Sequence, residues 1–323
     1  MTKLPGGFRA ALLWGWTALG AAGVLYARAR GIPIWAALPA LAAFLVEYPF
    51  YLVPAFPDLR ERFGGGRLPV FLAAAAVAPY LVCCGGAVAF QWASLVRLLA
   101  LALALGLWYR VLPVAPVFDI AFLALVPCVL LGKYFDPVYA PLYAGFKDLK
   151  NLIVLGHLSL IVMAVMALMV ERRVHETGFG LAPSWKEWRI GALHYLYFAA
   201  IGFPLALLLK AVRFGAPRPI WYIAATFLGT LWVVALSEEF FFRGVLQQWL
   251  EEWRWNRKAA LAIASAAFGL VHLGFRGFPN WRWSLIVAVL GWFCGRARNQ
   301  AGSIRAGMVT HALAVTTWRA FFA

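Results

Sequence analysis

The chain has little charge for its length. Of its 323 residues, 13% are Asp, Glu, Lys or Arg, whereas 64% are hydrophobic. Soluble globular proteins are about 25% charged and about 45–50% apolar, so this composition excludes an ordinary soluble domain. Because the surplus apolar surface has to face lipid, we expect a polytopic integral membrane protein.

Acidic residues are especially scarce. The sequence has 13 acidic residues against 29 basic ones, which gives a formal net charge of +16. A nucleic-acid-binding protein gathers its basic residues in one patch, but here they are dispersed over the connecting loops. Loops of this kind suit contact with anionic lipid headgroups. We therefore expect the lipid bilayer as a partner and no nucleic acid, and we expect the membrane to be the inner membrane of a prokaryotic cell.

Cysteine motifs, a cleavable leader and internal repeats are also missing. The four cysteines lie in apolar segments with neither a Cys-x-x-Cys spacing nor a Cys/His ligand spacing, which argues against a cysteine-based metal centre. The apolar run after residue 10 has no convincing small-x-small cleavage site, so we expect it to be retained as the first helix. The absence of a repeat disfavours a transporter built from two related halves.

Apolar runs predict an all-α transmembrane bundle. With about 20 apolar residues per span, we expect about ten or eleven helices. The predicted helices cover residues 10–27, 34–56, 68–90, 93–112, 115–132, 152–170, 190–210, 220–247, 259–275, 283–295 and 304–320. Polar loops are predicted at 57–67, 133–151, 171–189 and 251–258.

The loop at 171–189 is the predicted domain boundary. Trp185 and Trp188 suit the headgroup level of a membrane, and Ser184 is a candidate cap for the helix that follows. We therefore divide the chain into a transmembrane region of unknown role at 1–175 and a second region at 176–323. The second region contains the side chains considered next.

A charged cluster interrupts an apolar segment in this second region. Glu238 and Glu239 follow sixteen uncharged residues, 221–236, and Arg243 comes one helical turn later. Ionisable groups at membrane depth are costly and usually functional. The i,i+4 spacing predicts an ion pair between Glu239 and Arg243. Glu238 lies about 100° further round the helix, so it is available for a functional role.

Two histidines, His272 and His311, lie in later apolar segments. Polar groups on separate helices converge in a bilayer because hydrocarbon offers them no other partner. A glutamate with two histidines can bind zinc or activate a water. Zinc is disfavoured because the sequence has no His-Glu-x-x-His helix and an arginine-paired carboxylate is a poor ligand. No serine or cysteine lies beside the histidines as a nucleophile, so direct attack by water is the simpler scheme.

Three motifs in order resemble the CPBP (Abi) family, which includes the type II CAAX prenyl endopeptidases. Glu238-Glu239 with Arg243 resembles the family's Glu-Glu-x-x-x-Arg motif, and Phe268 with His272 resembles its Phe-x-x-x-His motif. The helix that carries His311 is similar to the family's final histidine helix. The resemblance covers about 176–320 and leaves the first 170 residues unexplained.

The resemblance implies an intramembrane glutamate protease that needs no cofactor and acts on a peptide or protein presented at the membrane, with CAAX-type processing as a candidate form. Glu238 would activate the water, His272 would hold or polarise it, and His311 would contribute to the oxyanion site. Glu239 and Arg243 would hold the helix geometry. Phe268 would pack the site. Region 176–323 would then be the catalytic domain.

One position departs from the family pattern. Four residues after the last histidine the family usually has Asn, an amide donor for the oxyanion, where this chain has Val315. Loss of one such donor costs about 10²- to 10³-fold in rate. The alternative is thus a catalytically impaired membrane scaffold or immunity protein with the same fold. A third interpretation is an ion-coupled transporter that uses Glu47, Asp119 and Glu238, and zinc dependence remains a variant of the protease.

Overall fold

The structure is a computed structural model that describes residues 6–142 and 151–322. It is all-helical, and no strand occurs within these two ranges. Residues 143–150, in the predicted loop 133–151, lie outside the described part. The chain divides into two compact units, Met1–Val174 and His175–Ala323.

Seven helices belong to the first unit and five to the second, counted over the described residues. In the first unit they are α1 Gly6–Ala29, α2 Ile34–Ala55, α3 Pro57–Phe63, α4 Arg67–Cys83, α5 Trp92–Val111, α6 Pro116–Leu131 and α7 Ile153–Glu171. In the second they are α8 Trp185–Leu208, α9 Ile220–Glu252, α10 Arg257–Leu270, α11 Trp281–Ala301 and α12 Ile304–Phe321.

The all-helical class is confirmed, but the expected count of ten or eleven helices is not, since the described residues form twelve. The additional helix is α3, which falls in the predicted polar loop 57–67. It begins with Pro57 and has Asp58 in its first turn, and both residues favour a helix start. A hydropathy reading passes over it because its residues are mostly polar.

Six of the described helices are long and apolar enough to cross a membrane: α1, α2, α5, α7, α8 and α9. Helices α3 and α4 would add a seventh if this bent pair, at 105°, formed one broken span. Helix α10 has 14 residues, fewer than the roughly 20 that a span requires. The apolar helices identify the chain as an integral membrane protein.

Helix α7 forms the centre of the first unit. In its most apolar window 72% of the residues are buried, and it packs against α2, α4, α5 and α6. A helix that is apolar on all sides is stable only when neighbours cover all of its faces. Helix α7 is therefore the core element around which this unit is built.

Helix α12 has the same position in the second unit, where it packs against α8, α9 and α11. Its contact with α8 is close because α8 has a glycine at position 191. A Cβ built on Gly191 would lie 2.6 Å from the carbonyl oxygen of Ala306. Small residues let helix backbones approach in this way, and here the close approach fixes the helix that carries His311.

The segment before α8 packs against the start of α12 and forms a hydrogen bond with it. The backbone N–H of Ile304 donates to the carbonyl of Thr177 at 3.0 Å, and Gly178 adopts a left-handed φ of 69° directly against Ser303. Helix α8 then begins at Trp185, five residues before the predicted start. The predicted cap is confirmed, because Ser184 and Glu187 form a reciprocal capping box.

Candidate active site

Helix α9 is irregular on both sides of the two glutamates. A short α-helical turn, Leu236–Glu239, lies between the π-helical segments Thr230–Ala235 and Phe240–Leu246. Such segments are rare and often mark functional sites. The apolar pattern predicted an uninterrupted helix and contained no signal for these wider turns.

The pair predicted from the spacing is present. Arg243 Nη1 lies 3.2 Å from Glu239 Oε1, and the two side chains are 1% and 0% exposed. The guanidinium carbon also lies 4.3 Å from the centroid of the Phe268 ring, within the range of a cation–π contact. Arg243 thus both neutralises Glu239 and holds the aromatic ring that borders the histidines.

Glu239 has a second partner that the spacing did not reveal. His311 Nδ1 lies 2.9 Å from the same carboxylate oxygen, Oε1, and the imidazole is buried. Because an ionised carboxylate only accepts hydrogen bonds, Nδ1 is the protonated nitrogen in this pair. Glu239 therefore fixes the orientation of the His311 ring and turns Nε2 toward Glu238.

Glu238 lies opposite that nitrogen. Its Oε2 is 3.7 Å from His311 Nε2, beyond the range of a direct hydrogen bond. The side chain is 29% exposed, yet Oε2 is buried and has no hydrogen-bond partner among the described residues. This oxygen keeps its full capacity to accept a proton from a group that enters the site.

His272 lies in the turn after α10, where the sequence had predicted a helix to residue 275. Its backbone N–H donates to the carbonyl of Gly269 at 3.0 Å, as in a tighter helical turn. Its Nδ1 lies 2.8 Å from the carbonyl oxygen of Phe268 and must donate to it, which leaves Nε2 as an acceptor in the neutral ring. The Phe268 ring contacts both imidazoles, with centroids 5.0 Å from His272 and 5.7 Å from His311.

Glu238, His272 and His311 line one cavity of about 210 Å³. The rest of its wall is mainly aliphatic and aromatic, and Val315 is part of it. Within the described chain, no Asn, Gln, Ser or Thr lines this cavity. The hydroxyls of Thr310 and Thr317 are engaged with Gly191 and Tyr195, and Thr316 does not line the cavity, so none of these three residues replaces the missing amide.

The other two acids considered for a transporter have partners in the first unit. Arg172 donates from Nε and Nη2 to the two oxygens of Asp119, both at 2.9 Å. The hydroxyl of Ser159 donates to Glu47 at 3.3 Å. Asp119 is therefore part of a bidentate ion pair, and Glu47 is a buried acid that bonds to a neighbouring helix.

Among the described residues, one group could offer a metal three ligands. The ligand atoms of Glu239, Cys294 and His311 all lie within 4.8 Å of one another. However, Arg243 already places a cation beside Glu239 Oε1, and a divalent ion there would meet the guanidinium. The donor set fits a metal poorly, and it includes neither Glu238 nor His272.

The fold defines an all-helical integral membrane protein in which acidic and imidazole groups share one cavity. Residues 219–317 match the family model described as Type II CAAX prenyl endopeptidase Rce1-like. The CPBP family resemblance is thereby confirmed for this segment, which is similar to a family of membrane CAAX proteases. No curated protein and no solved structure matches the chain.

Proposed function

We propose that this protein is a membrane endopeptidase in which Glu238 activates a water molecule to hydrolyse a peptide bond. The observation that carries the proposal is Glu238 Oε2, which faces His311 Nε2 at 3.7 Å and accepts no hydrogen bond from the described part of the chain. The family match over 219–317 supports a protease as the class. The apolar lining of the cavity supports a substrate that is presented at the membrane.

The proposed reaction begins with a water between Glu238 and the scissile carbonyl. Glu238 takes one proton from the water, and the remaining hydroxyl oxygen adds to the carbonyl carbon. The negative charge on the former carbonyl oxygen is stabilised by an imidazole. The carbon–nitrogen bond then breaks, and Glu238 returns the proton to the leaving nitrogen. The products are a carboxylic acid and an amine.

The two histidines have different roles in this scheme. His311 donates from Nδ1 to Glu239, in the way that a carboxylate orients the histidine of a hydrolytic triad, and we assign the Nε2 side of its ring to the oxyanion. His272 donates from Nδ1 to the backbone carbonyl of Phe268, and we assign it to positioning the water. Glu239, Arg243 and Phe268 act as positioning residues.

The test compares the purified protein with Glu238→Gln on a prenylated CAAX-type peptide and on its unprenylated counterpart in detergent or vesicles. We expect the variant to lose cleavage by a factor of at least 10², because Gln accepts no proton. Glu252→Gln, an acid at the exposed end of the same helix, is the matched control and should cleave like the wild type. Equal activity of wild type and Glu238→Gln would refute the proposal.

The proposed chemistry is independent of metal. Treatment with a chelator should leave the cleavage rate unchanged, because the base and the imidazoles supply every proton and charge in the scheme. Loss of activity on chelation, with recovery on addition of zinc, would replace this mechanism with a metal-dependent one. Zinc binding to the purified protein is the direct measurement.

A second candidate is a scaffold or immunity protein with the same fold and impaired catalysis. It is favoured by Val315, which lines the cavity but has no polar group to donate. In that case Glu238→Gln would leave the cellular phenotype intact, whereas loss of Arg243 would remove the protein.

We assign the catalytic role to region 176–323 and leave the role of 1–175 open. We also infer that the membrane is the inner membrane of a prokaryotic cell.

A further inference from the structure

A second cavity lies in the first unit and contains none of the candidate catalytic groups. It has a volume of about 610 Å³ and is lined by residues of α1, α2, α3 and α4 together with Gly66. Arg67, in the first turn of α4, is the one described lining residue with a polar side chain. Binding sites for small molecules have volumes of about 300–1,000 Å³, so this groove is large enough for a ligand.

The walls of the groove are held by contacts within the unit. The chain bends by 105° between α3 and α4, and the groove lies in this bend. The ring of Phe71 lies 4.2 Å from that of Phe63 and 5.6 Å from that of Phe50, centroid to centroid. Arg60 Nη1 donates to the carbonyl of Pro54 at 3.0 Å, which fastens α3 to the end of α2. The groove is therefore formed before any ligand enters.

Two candidate membrane spans end at the groove. Phe8 is in the first turn of α1 and Val53 is in the last turn of α2, and both line it. The hydrocarbon core of a bilayer is about 30 Å thick, so the ends of a helix that crosses it lie near the headgroups. The groove is thus at the depth where acyl chains meet lipid headgroups.

Arg67 brings a positive charge to this groove. Its side chain is exposed, and Nη1 donates to the carbonyl of Arg62 at 3.3 Å. Within residues 6–142 and 151–322, no carboxylate lies at ion-pair distance from it, whereas Arg60 is paired with Glu61 at 3.3 Å. A Cβ built on Gly66 would meet nothing within 4 Å, which leaves room for a headgroup beside the guanidinium.

The chemistry of the wall selects the class of ligand. A peptide would bring backbone N–H and C=O groups, and the described wall offers them only one polar side chain, so they would be buried without partners at a cost. A phospholipid brings apolar chains and a phosphate, which suits a guanidinium. A zwitterionic headgroup would add an ammonium beside Arg67, and no carboxylate among the described lining residues would receive it.

We propose that this groove binds one anionic phospholipid, with an acyl chain against the aromatic and aliphatic wall and the phosphate at Arg67. The site is independent of the peptide cleavage proposed above. It gives the first unit a function as a lipid-binding region. Because the lipid binds the folded state, it also stabilises the protein by mass action.

The test is native mass spectrometry of the purified full-length protein in detergent. The protein is mixed with equal amounts of phosphatidylglycerol and phosphatidylcholine that have the same acyl chains, and the last lipid retained on partial delipidation is identified. We expect phosphatidylglycerol to be retained about tenfold more often than phosphatidylcholine, the factor expected for one charge-assisted hydrogen bond. Glycerol phosphate, which has the headgroup charge but no acyl chain, should not displace it.

Three variants locate the site. Arg67→Gln should retain the two lipids equally, and Arg67→Lys should keep part of the preference. Ala74→Trp places a large ring on an exposed position of the groove wall and should retain neither lipid. Arg110→Gln is the control, because it removes an exposed arginine outside the groove, and it should keep the full preference. Melting temperatures without added lipid check that each variant is folded.

Several results would overturn the inference. Equal retention of the two lipids by the wild type, or a preference that survives in Arg67→Gln, would show that Arg67 binds no phosphate. Unchanged retention in Ala74→Trp would place the lipid elsewhere on the protein. Displacement by glycerol phosphate would show that the groove holds no acyl chain, and a dimer without bound lipid would assign the groove to a second copy of the chain.

Discussion

Replacement of Arg243 by methionine tests whether the buried ion pair holds the site together. The Arg243 and Glu239 side chains are 1% and 0% exposed, and their nearest nitrogen and oxygen are 3.2 Å apart. Methionine is unbranched and apolar, so it retains much of the packing while removing the cation. Glu239 would then be buried beside His311 without its guanidinium partner.

The size of the effect follows from burial. Removing one partner of a fully buried pair costs about 3–5 kcal/mol, because the remaining charge is desolvated and uncompensated. The lost contact with the Phe268 ring adds to this cost. Replacement of both partners, in Arg243→Met/Glu239→Gln, leaves no stranded charge. We expect the double variant to be more stable than the Arg243→Met single variant.

The measurement is the free energy of unfolding in detergent or bicelles, with the denaturant slope compared between variants to check that the unfolding transition is the same. Arg282→Met, which removes an exposed arginine at the start of α11, is the control and should stay within about 0.5 kcal/mol of wild type. A loss below about 1 kcal/mol for Arg243→Met, or a double variant as unstable as the single one, would refute the assignment of Arg243 as the charge partner of Glu239.

Two further predictions concern the cavity and the loop that borders α12. Val315→Asn introduces an amide donor into the cavity wall, and we expect kcat for peptide cleavage to rise by about 10²-fold, the lower end of the range that one oxyanion donor contributes. Val315→Leu, which adds no donor, should bring no such gain. An Asn variant no faster than wild type would show that the oxyanion does not form beside position 315. Gly178→Ala places a Cβ against Ser303 at a left-handed φ of 69°, and it should lower the stability by about 1 kcal/mol or more. Gly274→Ala is the control, because a Cβ there meets nothing within 4 Å, and it should change the stability little. Thermal unfolding of the two glycine variants checks this, and equal melting temperatures would contradict it.

Local features of the sequence were sufficient for the helices and for one contact of the site. Runs of apolar residues predicted eleven of the described helices, because the length of a span is set by the thickness of a bilayer. The i,i+4 spacing predicted the pair of Glu239 and Arg243, because the helix geometry alone brings these side chains together. The short polar helix α3 was not predicted because it contains no apolar run. The π-helical segments of α9 were not predicted because they leave the apolar run of that helix uninterrupted.

The remaining contacts depend on helix packing. His311 lies 72 residues beyond Glu239, and no local rule predicts that its two ring nitrogens face Glu239 and Glu238. The sequence offered Asp119 as a candidate transporter acid, and only the fold shows that Arg172 pairs with it.

By itself, the sequence determined that the chain is a helical membrane protein with a Glu-Glu-x-x-x-Arg cluster, since composition and short-range spacing suffice for both conclusions. Only the tertiary structure decided that Glu239 also contacts His311 and that Glu238 lines a cavity with both histidines. The physical reason is that close helix contacts, such as the one at Gly191, bring together polar groups from distant positions, and hydrocarbon offers those groups no other partner. Glu239 is held by two cationic or donor groups, and Glu238 faces the cavity with an oxygen that has no hydrogen-bond partner among the described residues.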